Sequence, residues 1–107
     1  MKPKLFKLVV YTPIENAPAV RRALGKAGAG RIGNYEYGSF STEGVGRFRP
    51  LKGANPTIGT IGTLEEVREE RIECVVQQQD LQAVLKATRK AHPYEEPVID
   101  VIELVDV

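Results

Sequence analysis

Apolar and polar positions alternate along the first segment. Phe6, Leu8 and Val10 fall on one side of an extended chain, and Leu5, Val9 and Tyr11 on the other, with Lys7 polar among them. The run is rich in β-formers and ends at Thr12-Pro13, so a strand over 5–11 is expected. The period then changes. Ala17, Val20, Leu24 and Ala27 share one helical face, with Asn16 as the expected N-cap and Pro18 in the first turn. Gly28 and Gly30 are expected to stop that helix. Residues 34–48 mix Tyr35, Tyr37, Phe40 and Phe48 with Ser, Thr and Gly, which reads as a bent or bulged strand. Residues 49–63 hold Pro50, Gly53, Asn55-Pro56, Gly59 and Gly62 and read as loop. Residues 65–76 begin charged and end Ile72-Glu73-Cys74-Val75-Val76, a third strand. Leu81, Val84, Leu85 and Thr88 mark a second helix ended by Pro93, and residues 98–105 a last strand.

The order is β-α-β followed by β-α-β, which predicts an α+β, ferredoxin-like split βαβ sandwich. Right-handed crossovers place both helices on one face of a four-stranded antiparallel sheet. A weak echo between residues 19–27 and 83–91 is compatible with duplication, although alanine-rich helices also resemble one another by chance. The second sheet face has no helix to cover it. In the last strand Val98, Ile102 and Leu104 share a face with Asp100, and Ile99, Val101 and Val105 share the other with Glu103, so both faces read as mostly apolar. Self-association through the open face is the expected remedy. The alternative is that residues 34–63 fold back over it.

Composition bounds the rest. The 107 residues fit one domain, 1–107, with a single core. A formal net charge of +1 offers no electrostatic reason to expect nucleic acid or an anionic membrane. Cys74 is the only cysteine, so no intrachain disulfide forms. No apolar run approaches the roughly 20 residues of a membrane span, and the basic start lacks a signal-peptide pattern; a cytoplasmic protein is expected.

Candidate chemistry is sparse. Gly28-x-Gly30-x-x-Gly33 has dinucleotide-site spacing, but it follows a helix and precedes a strand, so the wrong helix end would face a pyrophosphate. His92-Pro93-Tyr94-Glu95-Glu96-Pro97 is the densest functional cluster, with the only histidine beside two carboxylates. Imidazole with carboxylate can ligate a divalent metal or relay a proton; a helix end that favours a positive histidine explains the same residues. Cys74 reads as a buried, inert thiol. Ser39, Ser41 and Thr42 have no spacing that pairs them with His92. Arg31, Arg47, Arg49 and Lys52 are compatible with anion binding but read more simply as surface charge. The charged run Glu65–Arg71 reads as a solvated strand edge.

Longer patterns are more specific. Gly28-x-Gly30-x-Ile32-Gly33-Asn34-Tyr35, then Ser39-Phe40-Ser41-Thr42-Glu43-Gly44-x-Gly46-x-Phe48-x-Pro50 and Gly53-Ala54-Asn55-Pro56-x-Ile58-Gly59, resemble the insertion domain of NIF-three-like proteins of the YqfO type. Glu66, Glu70, Arg71 and Glu73 continue the pattern and residues 92–97 close it. The His-Pro-Tyr-Glu turn is also similar to that of CutA proteins, and both groups belong to a ferredoxin-like, PII-like class. CutA proteins are trimers associated with divalent-cation tolerance, so the resemblance implies this fold and a trimer. Full-length NIF-three-like proteins surround the insertion with a core holding a dinuclear metal centre. With one histidine, this sequence is not expected to hold that centre or to inherit a hydrolase activity.

The expectation is therefore a non-enzymatic oligomeric binding or regulatory module. Its candidate ligand residues are His92, Tyr94 and Glu95, facing Asn34, Ser39 and Ser41 of a neighbouring copy. The alternative is a divalent-metal site from His92 with Glu95 or Glu96. A third reading makes His92 a general base. The expected partners are further copies of the chain, with a trimer favoured, and a small ligand or a separate NIF-three-like core protein. No cofactor is certain; a divalent metal is the one considered.

Overall fold

The structure, a computed structural model, describes residues 3–105. Strand β1 (Leu5–Pro13) leads through a 3-10 turn (Ile14–Asn16) into helix α1 (Ala17–Ala27). Strands β2 (Phe40–Phe48) and β3 (Glu65–Gln77) follow, then a second 3-10 turn (Gln78–Asp80), helix α2 (Leu81–Ala91) and strand β4 (Ile99–Glu103). The four strands form one antiparallel sheet in the order β2-β3-β1-β4. This is the expected α+β, ferredoxin-like arrangement.

Register explains which residues are buried. Leu8 faces Cys74 and Val10 faces Ile72 across the β1–β3 ladder, and Val101 and Ile99 continue these rows on β4. Leu8, Val10, Ile72, Cys74 and Val76 pack against Val20 and Leu24 of α1 and Val84 of α2. Each fully buried Val or Leu contributes roughly 1.5–3 kcal/mol, so this cluster is what holds the helices to the sheet. Arg21 of α1 adds an ion pair to Glu70, which β3 turns toward the helices.

The first helix stops as expected. Gly28 adopts φ 116° and its N–H returns to Gly25 and Leu24, while the Ala29 N–H bonds to the Leu24 carbonyl at 3.0 Å. Its start differs: Asn16 makes no side-chain cap bond, because the 3-10 turn carries the chain into the helix. α2 starts the same way.

Three further expectations are corrected. The strand predicted over 34–48 begins at Phe40; residues before it form a turn closed by an Ile32–Tyr35 bridge. Gly33 and Tyr37 have φ of 56° and 61° there, left-handed values that a regular strand does not accommodate. The charged run 65–71 is a sheet edge only in its first half: Glu65 to Arg68 pair with β2 alone, whereas Glu69 to Arg71 are paired on both sides. β3 lies between β2 and β1, and its charges are directed to the two faces. The open face is consequently mixed rather than mostly apolar. It carries Glu69, Arg71 and Glu73 of β3, Lys7 of β1 and Asp100 of β4, alongside Val9, Ile102 and Phe40. Lys7 and Arg71 both pair with Glu73, at 3.7 Å and 3.0 Å. Among the described residues no helix is long and apolar enough to cross a membrane.

Candidate functional site: a groove on the open sheet face

The open face is walled at one end. The turn after α2 folds back over the sheet because His92 anchors it. His92 is nearly buried, and its Nε2 lies 2.6 Å from the carbonyl oxygen of Tyr11. A carbonyl only accepts, so Nε2 carries the hydrogen. The other ring nitrogen, Nδ1, accepts the Tyr94 N–H at 3.0 Å. Both nitrogens are thus committed to holding the turn.

The anchored turn places Tyr94 over β3. Its hydroxyl donates to Glu69 Oε2 at 2.8 Å, and its ring meets Phe48 of β2 edge-on, centroids 5.7 Å apart. Burial is the main cause that pushes the Tyr94 hydroxyl well above the ordinary tyrosine range; the bond to Glu69 and the charges of Glu69 and Glu15 add to it. Glu69 itself is 8% exposed. It fits because Gly46 on β2 has no side chain: a Cβ there would overlap Glu69 Oε1. The loop after β2 closes the second wall. The Asn55 N–H donates to Glu95 Oε2 at 3.1 Å, and the Thr57 hydroxyl donates to the Pro93 carbonyl at 2.6 Å.

Between these walls lies a groove of about 640 Å³, mostly apolar, floored by Tyr11, Thr42, Gly44, Gly46 and Glu69 and flanked by Phe48 and Tyr94. That volume suits a small molecule. Tyr94, Glu95 and Glu96 of the expected site line it, and His92 stands behind it as a support. Asn34, Ser39 and Ser41 do not line it. Asn34 belongs to a separate shallow depression with Arg31 and Tyr35, and Ser41 lies opposite Ile72, whose side faces the helices. Glu69, Gly46 and Phe48 went unrecognised as site residues. The signal available was Glu69 itself, a carboxylate that an alternating strand turns away from the helices.

The metal reading finds no support. Among the described residues no three His, Cys, Asp or Glu side chains come together as ligands. His92 has no nitrogen free, and Glu95 is engaged by Asn55. The same commitment leaves His92 poorly suited to act as a general base. Cys74 is buried against the helices, and that burial pushes its thiol up to about 11, so it is a poor nucleophile.

Comparison with known proteins agrees with this architecture. No family model matches the chain. The chain is 52% identical over 97 residues to a Bacillus subtilis protein named GTP cyclohydrolase 1 type 2 homolog, covering 91% of this chain and 26% of that protein. A Mycobacterium tuberculosis protein of the same name is 50% identical over 101 residues, covering 94% and 27% respectively. The crystal structure of a Bacillus cereus protein related to NIF3 superposes with a TM-score of 0.85 at 44% identity, covering 97% of this chain and 26% of that one. The fold alone is shared with the periplasmic divalent cation tolerance protein CutA from Archaeoglobus fulgidus, at a TM-score of 0.68, 16% identity, and coverage of 96% and 86%. The chain spans about a quarter of the length of the curated relatives it matches. About half of all positions are identical along nearly the whole chain, on the same fold, so this chain corresponds to one CutA-like segment of longer NIF3-related proteins.

Proposed function

We propose that this domain is a non-enzymatic binding or regulatory module whose ligand occupies the groove on the open sheet face. The observation that carries the reading is the Tyr94–Glu69–Gly46 arrangement. A carboxylate is held nearly buried in a strand by one hydroxyl and one glycine, beside two aromatic rings. Such a constellation contributes little to the fold that an apolar residue would not, whereas it suits recognition. The groups that catalysis would recruit, His92 and Cys74, are committed or buried. The activity in the name of the longer relatives then resides in the three quarters of their length outside the shared segment.

Assembly is part of the same reading. Phe40 and Ile102, 66% and 54% exposed on the open face, support a homo-oligomer, with a trimer favoured. Asn34, Ser39 and Ser41 would contribute from a neighbouring copy. A separate NIF3-type core protein is the other partner this reading admits. Native mass spectrometry, before and after adding divalent metal, tests it. A trimer carrying a small stoichiometric mass is the expected species. A bare monomer in both conditions removes the assembly.

A further inference from the structure

We propose that the groove selects ligands with a cationic amine or amidine on a flat apolar body, with Glu69 as the counter-charge. The inference rests on the groove being a binding site and adds the chemistry of its occupant.

Glu69 sits mid-strand, 8% exposed, where a carboxylate is rarely found without a partner cation. Among the described residues it has none. The nearby arginines are engaged elsewhere: Arg71 with Glu73 at 3.0 Å and Arg47 with Glu66 at 3.6 Å. Arg49, on the loop, is the remaining cation lining the groove, and it forms no ion pair with Glu69. Tyr94 satisfies Oε2 only. Among the described residues Oε1 has no hydrogen-bond partner, and no buried side-chain oxygen there lacks one, so Oε1 reaches the surface. The surface Glu69 lines is the groove. Gly44 and Gly46 keep that floor free of side chains.

A cation entering there gains a charge-assisted hydrogen bond to an oxygen already mostly stripped of water. Its apolar body lies beside the rings of Phe48 and Tyr94, which favour both planar groups and cations. An anion meets the carboxylates of Glu69, Glu95 and Glu96 on the lining, while Arg47 and Arg71 are already paired and Arg49 is the remaining cation there to attract it.

The test is an amide-resonance NMR titration of the full chain with benzamidine, benzamide and benzoate, three probes of matched shape and different charge. Benzamidine is expected to shift residues of β2, β3 and the 94–96 turn, with a dissociation constant about tenfold lower than benzamide's or less. That preference should vanish in Glu69→Gln and persist in Glu96→Gln. Equal binding of all three probes overturns the charge selection and leaves the groove as a binding site. Shifts from none of them overturn both. Should Glu69→Gln fail to fold, the probe series on the unaltered protein decides alone.

Discussion

Tyr94→Phe tests how the groove is built, because it removes one oxygen and keeps everything around it. The phenyl ring retains the edge contact with Phe48, and the backbone retains its N–H bond to His92 Nδ1 at 3.0 Å. The 2.8 Å bond from the hydroxyl to Glu69 is lost. A hydrogen bond to a charged group contributes about 1.5–3 kcal/mol. Water in the groove can reach Glu69 and offset part of this, so a loss of about 1–2 kcal/mol is expected. The pH profile carries a second signature. The folded state holds the Tyr94 proton beyond the ordinary range, chiefly through burial. Unfolded tyrosine ionises near about pH 10. The unfolded chain therefore releases that proton first, and this contribution is full below about pH 10 and declines as pH rises further. Tyr94→Phe should lack this alkaline component. Urea unfolding at fixed protein concentration, at neutral pH and above pH 10, measures both effects. A double-mutant cycle with Glu69→Gln isolates the pair. Tyr94→Phe unfolding within about 0.3 kcal/mol of the parent at neutral pH, with no coupling to Glu69, refutes the arrangement.

Other substitutions probe the surrounding supports. His92→Ala removes both bonds that hold the turn and should cost about 2–4 kcal/mol, with faster hydrogen exchange at the Tyr94 amide; unchanged exchange there would deny the anchoring role. Gly46→Ala is diagnostic by its sign. Alanine ordinarily strengthens a strand relative to glycine, but here its Cβ would displace the Glu69 carboxylate and strain its bond to Tyr94, so a lower melting temperature is expected, equivalent to about 1 kcal/mol. Cys74 should resist thiol reagents until the protein unfolds. Because burial raises its thiol from an ordinary 9.0 to about 11, the associated stability is intact below pH 9 and lost by about pH 11. Cys74→Ala should flatten that window, and rapid labelling of the native thiol would contradict its burial.

The fold was legible because its core follows two simple periods. Leu8 and Val10 recur every second residue, and Val20 and Leu24 recur at helical spacing, on segments bounded by Pro13, Gly28 and Pro93. The misreadings share one physical origin, which is that a residue's type does not reveal what lies across from it. Tyr35 and Tyr37 are strand formers by composition, yet Gly33 and the positive φ of Tyr37 turn the chain back. Glu65 to Arg71 looked like an edge because buried central strands are usually apolar. That rule assumes helices on both faces. Here one face is open, and every second residue of β3 can stay charged while the strand is paired on both sides from Glu69 to Glu73.

The same circumstance produces the site. A strand covered on one face only must alternate, and the alternation delivers Glu69, Arg71 and Glu73 to one surface. Arg71 and Glu73 neutralise each other there. Glu69 is diverted from that pairing by elements distant in sequence: Gly46 leaves room for the carboxylate, and the turn anchored by His92 brings the Tyr94 hydroxyl to it. The 92–97 cluster was visible in the sequence as chemistry, but its histidine works on the backbone of β1 and its tyrosine is the residue that reaches the groove. Register decides this division of labour. Tyr11 offers its carbonyl to His92 two residues from Pro13, where β1 ends opposite Glu69, so the turn that caps the strand also reaches the carboxylate beside it. Anchor and recognition group are therefore coupled, and a perturbation of His92 should reach the groove through Tyr94 without touching Glu69 itself.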